Sequence, residues 1–157
     1  MHAERFSIRL LQTLCAALVA LLLAAPLTAG AGSKASPIGT WQTIDDETGK
    51  RKAVVKVYEY RGKVYGKIIR LNQKKVDTPL CHKCSGAKKD KPIEGMVIMW
   101  GLEQDEANSW DEGTILDPGK GKTYDCAIEL SANGKTLKVR GYKGWSALGR
   151  TQTWHRM

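Results

Sequence analysis

After residue 38 the apolar positions of this chain recur mainly every second residue, and no stretch keeps a 3.6-residue period long enough for a convincing helix. The clearest case is 122–130, where Tyr124, Cys126, Ile128 and Leu130 alternate with Asp125, Ala127 and Glu129. Alternation of this kind puts one face of a strand on a core and the other in water. Strands are predicted at 39–43, 52–60, 63–71, 95–100, 110–116, 122–130, 136–142 and 148–156. The segment 52–60 is rich in Val and Tyr, which suit a pleated, half-buried surface. Turn chemistry separates the strands: Asp45-Asp46-Glu47-Thr48-Gly49, Arg61-Gly62, Asp117-Pro118-Gly119-Lys120-Gly121 and Ala132-Asn133-Gly134. A long loop is expected from about 72 to 94. Eight short strands with regular turns predict an all-β fold, a small antiparallel up-and-down barrel or a sandwich. Closure into a barrel removes exposed strand edges. Eight strands enclose a space that side chains fill or that holds one small ligand.

The start of the chain has a different pattern. Arg5 and Arg9 precede Leu10–Ala25, which is apolar except for Gln12 and Thr13, and Ala29-Gly30-Ala31 follows as a small-x-small site. That order reads as a cleavable export signal over 1–31. The apolar run breaks at Pro26, short of the about 20 residues a membrane span needs. Residues 32–38 read as a flexible lead-in, and 39–157 as a single domain. A periplasmic or secreted protein follows, not integral to the membrane after cleavage.

Cleavage takes the formal charge from +9 to +8, because Arg5, Arg9 and Glu4 leave together. A basic exported domain can meet an anionic envelope component through long-range attraction, and nucleic acid is not expected as a partner there. The basic loop Lys74-Lys75, Lys83, Lys88-Lys89 and Lys91 could make that contact, although solvated loop lysines are the commoner outcome.

The chain is similar throughout to one known family. Gly39-Thr40-Trp41, Asp46 and Gly49, Val64-Tyr65-Gly66, Cys81-His82-Lys83-Cys84 and Gly95-Met96-Val97-Ile98 carry the resemblance. It continues through Trp110-Asp111-Glu112-Gly113, Ile115-Leu116-Asp117-Pro118 and Gly121-Lys122-Thr123-Tyr124, and closes with 137–142 and 149–154. These residues resemble an exported bacterial family catalogued as domain of unknown function 2147, whose members are similar to lipocalins in fold. The resemblance implies a lipocalin-like barrel. Gly39-x-Trp41 also resembles the lipocalin signature, in which the Trp closes one end of the barrel beneath an Arg of the last strand. Arg156 or Arg150 would take that part, in a cation–π contact worth about 0.5–2 kcal/mol. The chain is shorter than typical lipocalins and carries its Cys pair in the mid-chain loop, which argues against a full-sized cavity.

Cys81-His82-Lys83-Cys84 fits three chemistries: a local disulfide, a redox-active pair, or a metal site with His82 and His155. An oxidising compartment favours the disulfide Cys81–Cys84. The redox reading lacks a helix start in a βαβ unit, and the metal reading lacks a second ligand pair. Cys126 falls on an apolar face and reads as a buried thiol, with a pairing to Cys81 or Cys84 as the alternative. Asp111-Glu112 and Asp117 define no catalytic carboxylate pair, and no nucleophile-elbow or zinc-protease motif occurs.

Five Trp and five Tyr supply bodies with polar tips suited to a ligand pocket or to plain core packing. Trp41, Tyr65, Trp100, Trp110, Tyr142, Arg150, Gln152 and Trp154 are the candidate ligand-binding residues. Arg150, Gln152 and Trp154 share one face of the last strand. Alternation puts Leu137, Val139 and Gly141 on one face and Arg140 on the other. The expected function is non-enzymatic, needs no cofactor and binds a small apolar or amphipathic molecule. Alternatives are an envelope interaction or stress protein acting through its basic outer surface, and a thiol or metal protein built on Cys81 and Cys84.

Overall fold

Each predicted strand is present in the computed structural model, which describes residues 36–72 and 79–157 and, at 145–147, the backbone alone. The expected signal segment 1–31, most of the lead-in 32–38 and Lys74-Lys75 lie outside the described residues. Among the described residues the strands are β1 (Gly39–Ile44), β2 (Arg51–Tyr60), β3 (Lys63–Leu71), β4 (Val97–Glu106), β5 (Ser109–Asp117), β6 (Lys122–Leu130), β7 (Thr136–Lys143) and β8 (Trp145–Arg156). Each pairs antiparallel with its neighbour in sequence, and β1 pairs with β8, so the sheet closes into an up-and-down barrel. Closure is narrow: Trp41 pairs with Arg156 and Gln42 with His155.

The observed strands depart from the expected ones chiefly at β4 and in the long loop. β4 continues past Trp100 to Glu106. Its outer half, Glu103-Gln104-Asp105-Glu106, is exposed, so it lacks the alternation that marks a half-buried strand. Gly101, at φ +81°, sits where the pairing with β3 shifts register, and only a residue free to adopt that angle makes such a bulge inexpensive. The loop after β3 contains a short 3-10 helix at Gly86–Lys88.

The alternation holds where it is clearest. On β6 Cys126, Ile128 and Leu130 are buried while Asp125 and Glu129 are exposed. On β7 Leu137 and Val139 are buried, and Arg140 faces outward to donate to the Thr151 hydroxyl at 2.9 Å. Up-and-down topology gathers the β2–β3, β4–β5 and β6–β7 turns, with both ends of the domain, at one end of the barrel. The other four connections lie at the opposite end.

Among the described residues, large side chains fill the first of these ends. Trp41, Leu102, Ile128 and Leu137 are wholly buried there, each contributing about 1.5–3 kcal/mol of apolar burial. Arg156 seals the same end. Its guanidinium carbon lies 4.3 Å from the Trp41 ring centroid, and it donates to the carbonyls of Ser36, Ile38 and Gly134. The Trp41 indole N–H donates to the Pro37 carbonyl at 2.8 Å. Of the two arginines that the resemblance offered for this role, Arg156 has it and Arg150 does not.

Candidate functional site

The opposite half of the barrel is hollow. A cavity of about 730 Å³ runs in from the end that carries the β1–β2, β3–β4, β5–β6 and β7–β8 connections. That is within the roughly 300–1,000 Å³ common for small-molecule sites. Its wall is built from inward positions of successive strands, among them Ala53, Val55, Ile68, Ile98, Leu116 and Val139, with Trp154 deepest on β8. All of these are small or medium apolar residues except Trp154, so the alternation that makes the strands also leaves the space.

Polar groups concentrate on β8 and at the mouth. Arg150, Gln152 and Trp154 follow one another on the inner face of β8, and all three line the cavity. The Trp154 indole N–H approaches Gln152 Oε1 at 3.4 Å. Gln152 Nε2 donates to Asp46 Oδ2 at 2.8 Å, and Arg150 forms an ion pair with that same oxygen. Asp46 belongs to the β1–β2 turn, so a carboxylate from one rim reaches two donors on the last strand. The turn is held independently by Asp45, which accepts from the Thr48 amide at 3.0 Å and hydroxyl at 2.8 Å and pairs with Lys52 at 3.2 Å. The Thr48 hydrogen bonds, with Lys52 behind them, lower the Asp45 carboxyl to about 2.

Tyr142 borders the cavity, and its hydroxyl donates to Asp111 at 3.0 Å. Burial, and then that hydrogen bond, push its phenol up to about 12. Lys143, also at the rim, lies 5.6 Å from the centroid of the Tyr124 ring.

The structure thus brings together four of the eight residues singled out from the sequence: Tyr142, Arg150, Gln152 and Trp154. The other four lie elsewhere. Trp41 is in the sealed end. Trp110 is buried in the core away from the cavity. Tyr65 is on the outer wall, with Tyr58 at 5.7 Å and Tyr60 at 6.0 Å between ring centroids. Trp100 is capped from outside by Lys88, whose ammonium lies 3.9 Å from its ring centroid. The physical reason is common to all four. An aromatic ring buries area equally well in a core, on a wall or under a loop, so residue type does not select the cavity.

Sequence reasoning missed Asp46 as a site residue, along with Tyr124, Lys143 and the aliphatic wall. Tyr124 was reachable from the β6 alternation that places it with Cys126. Asp46 was not, because its partners are on the far strand.

Cys81 and Cys84 form a disulfide of 2.01 Å. His82 turns its Nδ1 to Asp90 at 2.8 Å. Among the described residues no three His, Cys, Asp or Glu side chains are grouped as metal ligands. The disulfide loop docks on the rim: Cys81 Sγ lies 3.4 Å from the Pro118 carbonyl oxygen, and Lys83 packs on Gly121. Pro79 and Ile93, at the two roots of the loop, line the cavity mouth. Cys126 is buried and unpaired. Burial, reinforced by the Asp111 charge, pushes its thiol up to about 12, so it is no nucleophile at neutral pH.

A closed eight-stranded antiparallel barrel with one sealed end, one open end and an apolar chamber defines a lipocalin-like protein. The chain belongs to the bacterial family described as "Uncharacterized protein conserved in bacteria (DUF2147)", which matches residues 39–156. Among solved structures it is similar to protein HP1028 from the human pathogen Helicobacter pylori, which belongs to the lipocalin family. The identity is 23%, the TM-score 0.69, and the match covers 78% of this chain and 83% of that one. At that identity the likeness concerns the fold. No match was found among curated protein sequences. Among the described residues no helix is long and apolar enough to cross a membrane.

Proposed function

We propose that this protein is a non-enzymatic carrier that holds one small apolar or amphipathic molecule in the open half of its barrel, in the periplasm. The observation that carries the reading is the cavity itself. It is large enough for a small ligand, its walls are aliphatic, and its few polar groups converge at the mouth rather than along the walls. Apolar walls supply affinity without direction, and a few placed polar groups orient the guest. Fold alone would not support this, since one fold hosts many functions; the hollow half of the barrel does. The periplasmic part rests on the export pattern of residues 1–31 and on the disulfide, a bond that persists in oxidising compartments.

Titration with the neutral fluorophore N-phenyl-1-naphthylamine tests the binding. A saturable rise in fluorescence at one site per chain is expected. Val139→Trp, which places an indole in the chamber, should abolish it while leaving the circular dichroism of the barrel unchanged. Binding that survives Val139→Trp would place the probe elsewhere and overturn the reading. Osmotic shock of cells making the full-length chain tests the compartment: release of a product that has lost residues 1–31 is expected, and retention with spheroplasts would refute it.

A further inference from the structure

We infer that the guest carries an anionic head, a carboxylate or a group of like charge and size, and that Arg150 and Gln152 hold it where Asp46 now sits. This rests on the reading of the barrel as a carrier and names the class of molecule carried.

The polar pole of the cavity already recognises a carboxylate. Gln152 and Arg150 converge on one oxygen of Asp46, and Trp154 approaches Gln152 from below, so the donors stand in line at the top of the apolar chamber. An amphiphile with its chain among Val55, Ile98 and Val139 would bring its head to this point. Asp46 is suited to give way. Its turn keeps its shape through Asp45, Thr48 and Lys52 without it. Its pair with Arg150 is partly exposed, and such pairs are weak.

The charges around the mouth point the same way. Among the described residues lining the cavity, Lys52, Lys120, Lys143 and Arg150 are basic and Asp117 is acidic, with the carboxylates of Asp45 and Asp46 on the rim beside Lys52 and Arg150. Lys52 is engaged by Asp45, and Lys120 approaches Asp117 at 4.0 Å. Lys143 faces the Tyr124 ring. A neutral head displacing Asp46 would leave the permanently charged Arg150 to water alone, whereas an anion replaces one carboxylate by another. Asp46 therefore acts as an internal competitor, filling the head-group position until a guest with its own anion arrives.

The test uses purified protein, stripped of co-purified lipid on a hydrophobic resin, with N-phenyl-1-naphthylamine bound. Dodecanoate and dodecan-1-ol are compared as displacers. Dodecanoate should bind roughly tenfold tighter than the alcohol, the scale of one charge-assisted contact. Arg150→Gln should remove that preference, bringing acid and alcohol to equal affinity. Asp46→Asn, in an exposed turn, should strengthen dodecanoate binding several-fold relative to the alcohol. Equal affinity for acid and alcohol in the unmodified protein would overturn the inference and leave the carrier reading standing. So would Asp46→Asn weakening dodecanoate. Failure of the fluorophore and both displacers to bind would overturn the carrier reading and this inference with it.

Discussion

Arg156 sits over Trp41 at 4.3 Å while these two residues are also backbone partners in the seam that closes the barrel. One side chain therefore joins β8, β1, the segment before β1 and the β6–β7 turn, through its hydrogen bonds to Ser36, Ile38 and Gly134. With so few backbone pairs between β1 and β8, the seam depends on this contact more than any other junction does.

Arg156→Ala should accordingly lower stability by about 2 kcal/mol, combining a cation–π contact with lost hydrogen bonds. Arg156→Lys should restore less than half, since an ammonium lacks the planar fork that reaches three carbonyls. Urea unfolding followed by tryptophan fluorescence measures both. A loss well below 1 kcal/mol for Arg156→Ala would show that the seam holds without it.

Gly121 meets the disulfide loop so closely that a Cβ would overlap the Lys83 carbonyl, and its φ is +67°. Gly121→Ala should cost at least about 2 kcal/mol from backbone strain and overlap together. It should also lift the loop off the rim. Amides of Cys81, Cys84 and Asp90, bonded within the loop, should exchange faster while those of β6 stay protected.

The disulfide closes a very short loop, for which the chain-entropy contribution is about 2 kcal/mol. Cys81→Ser with Cys84→Ser should lose about that much and leave fluorophore binding unchanged at temperatures where the barrel is folded. Loss of binding with stability intact would instead assign the pair a direct role.

Alkali should destabilise the fold through Cys126 and Tyr142. Burial raises both groups to about 12 in the folded chain, from ordinary values of 9.0 and 10.0. Below their ordinary values both are protonated folded or unfolded, and their contribution is fully present. As pH rises from about 9 toward 12 the unfolded chain loses these protons first, so that contribution is lost. Cys126→Ala and Tyr142→Phe, each measured against its own value at pH 7, should flatten the decline over that window. An unchanged slope in both variants would contradict the assignment.

Most of the barrel's strands were legible because their inner faces are apolar at every second position, as at 122–130 and 136–142. The outer half of β4 was not, since its exposed acidic residues carry no alternation. The placement of Arg150, Gln152 and Trp154 on one face was readable from spacing on β8, but the face they share became the cavity wall only when β8 met β1. The aromatic residues misled for a related reason: Trp41 and Trp110 carry the same ring chemistry as Trp154, and only position in the closed barrel separates a seal or a core ring from a cavity floor.

The sequence by itself determined the strands, their turns and which residues share a face, because side-chain alternation is a property of two consecutive residues on an extended backbone. The tertiary structure alone decided that one half of the barrel is filled and the other hollow, and that Asp46 meets Arg150 across 104 positions of chain. Free volume is the sum of what every strand leaves unfilled, and a contact between the first turn and the last strand exists only once the sheet has closed.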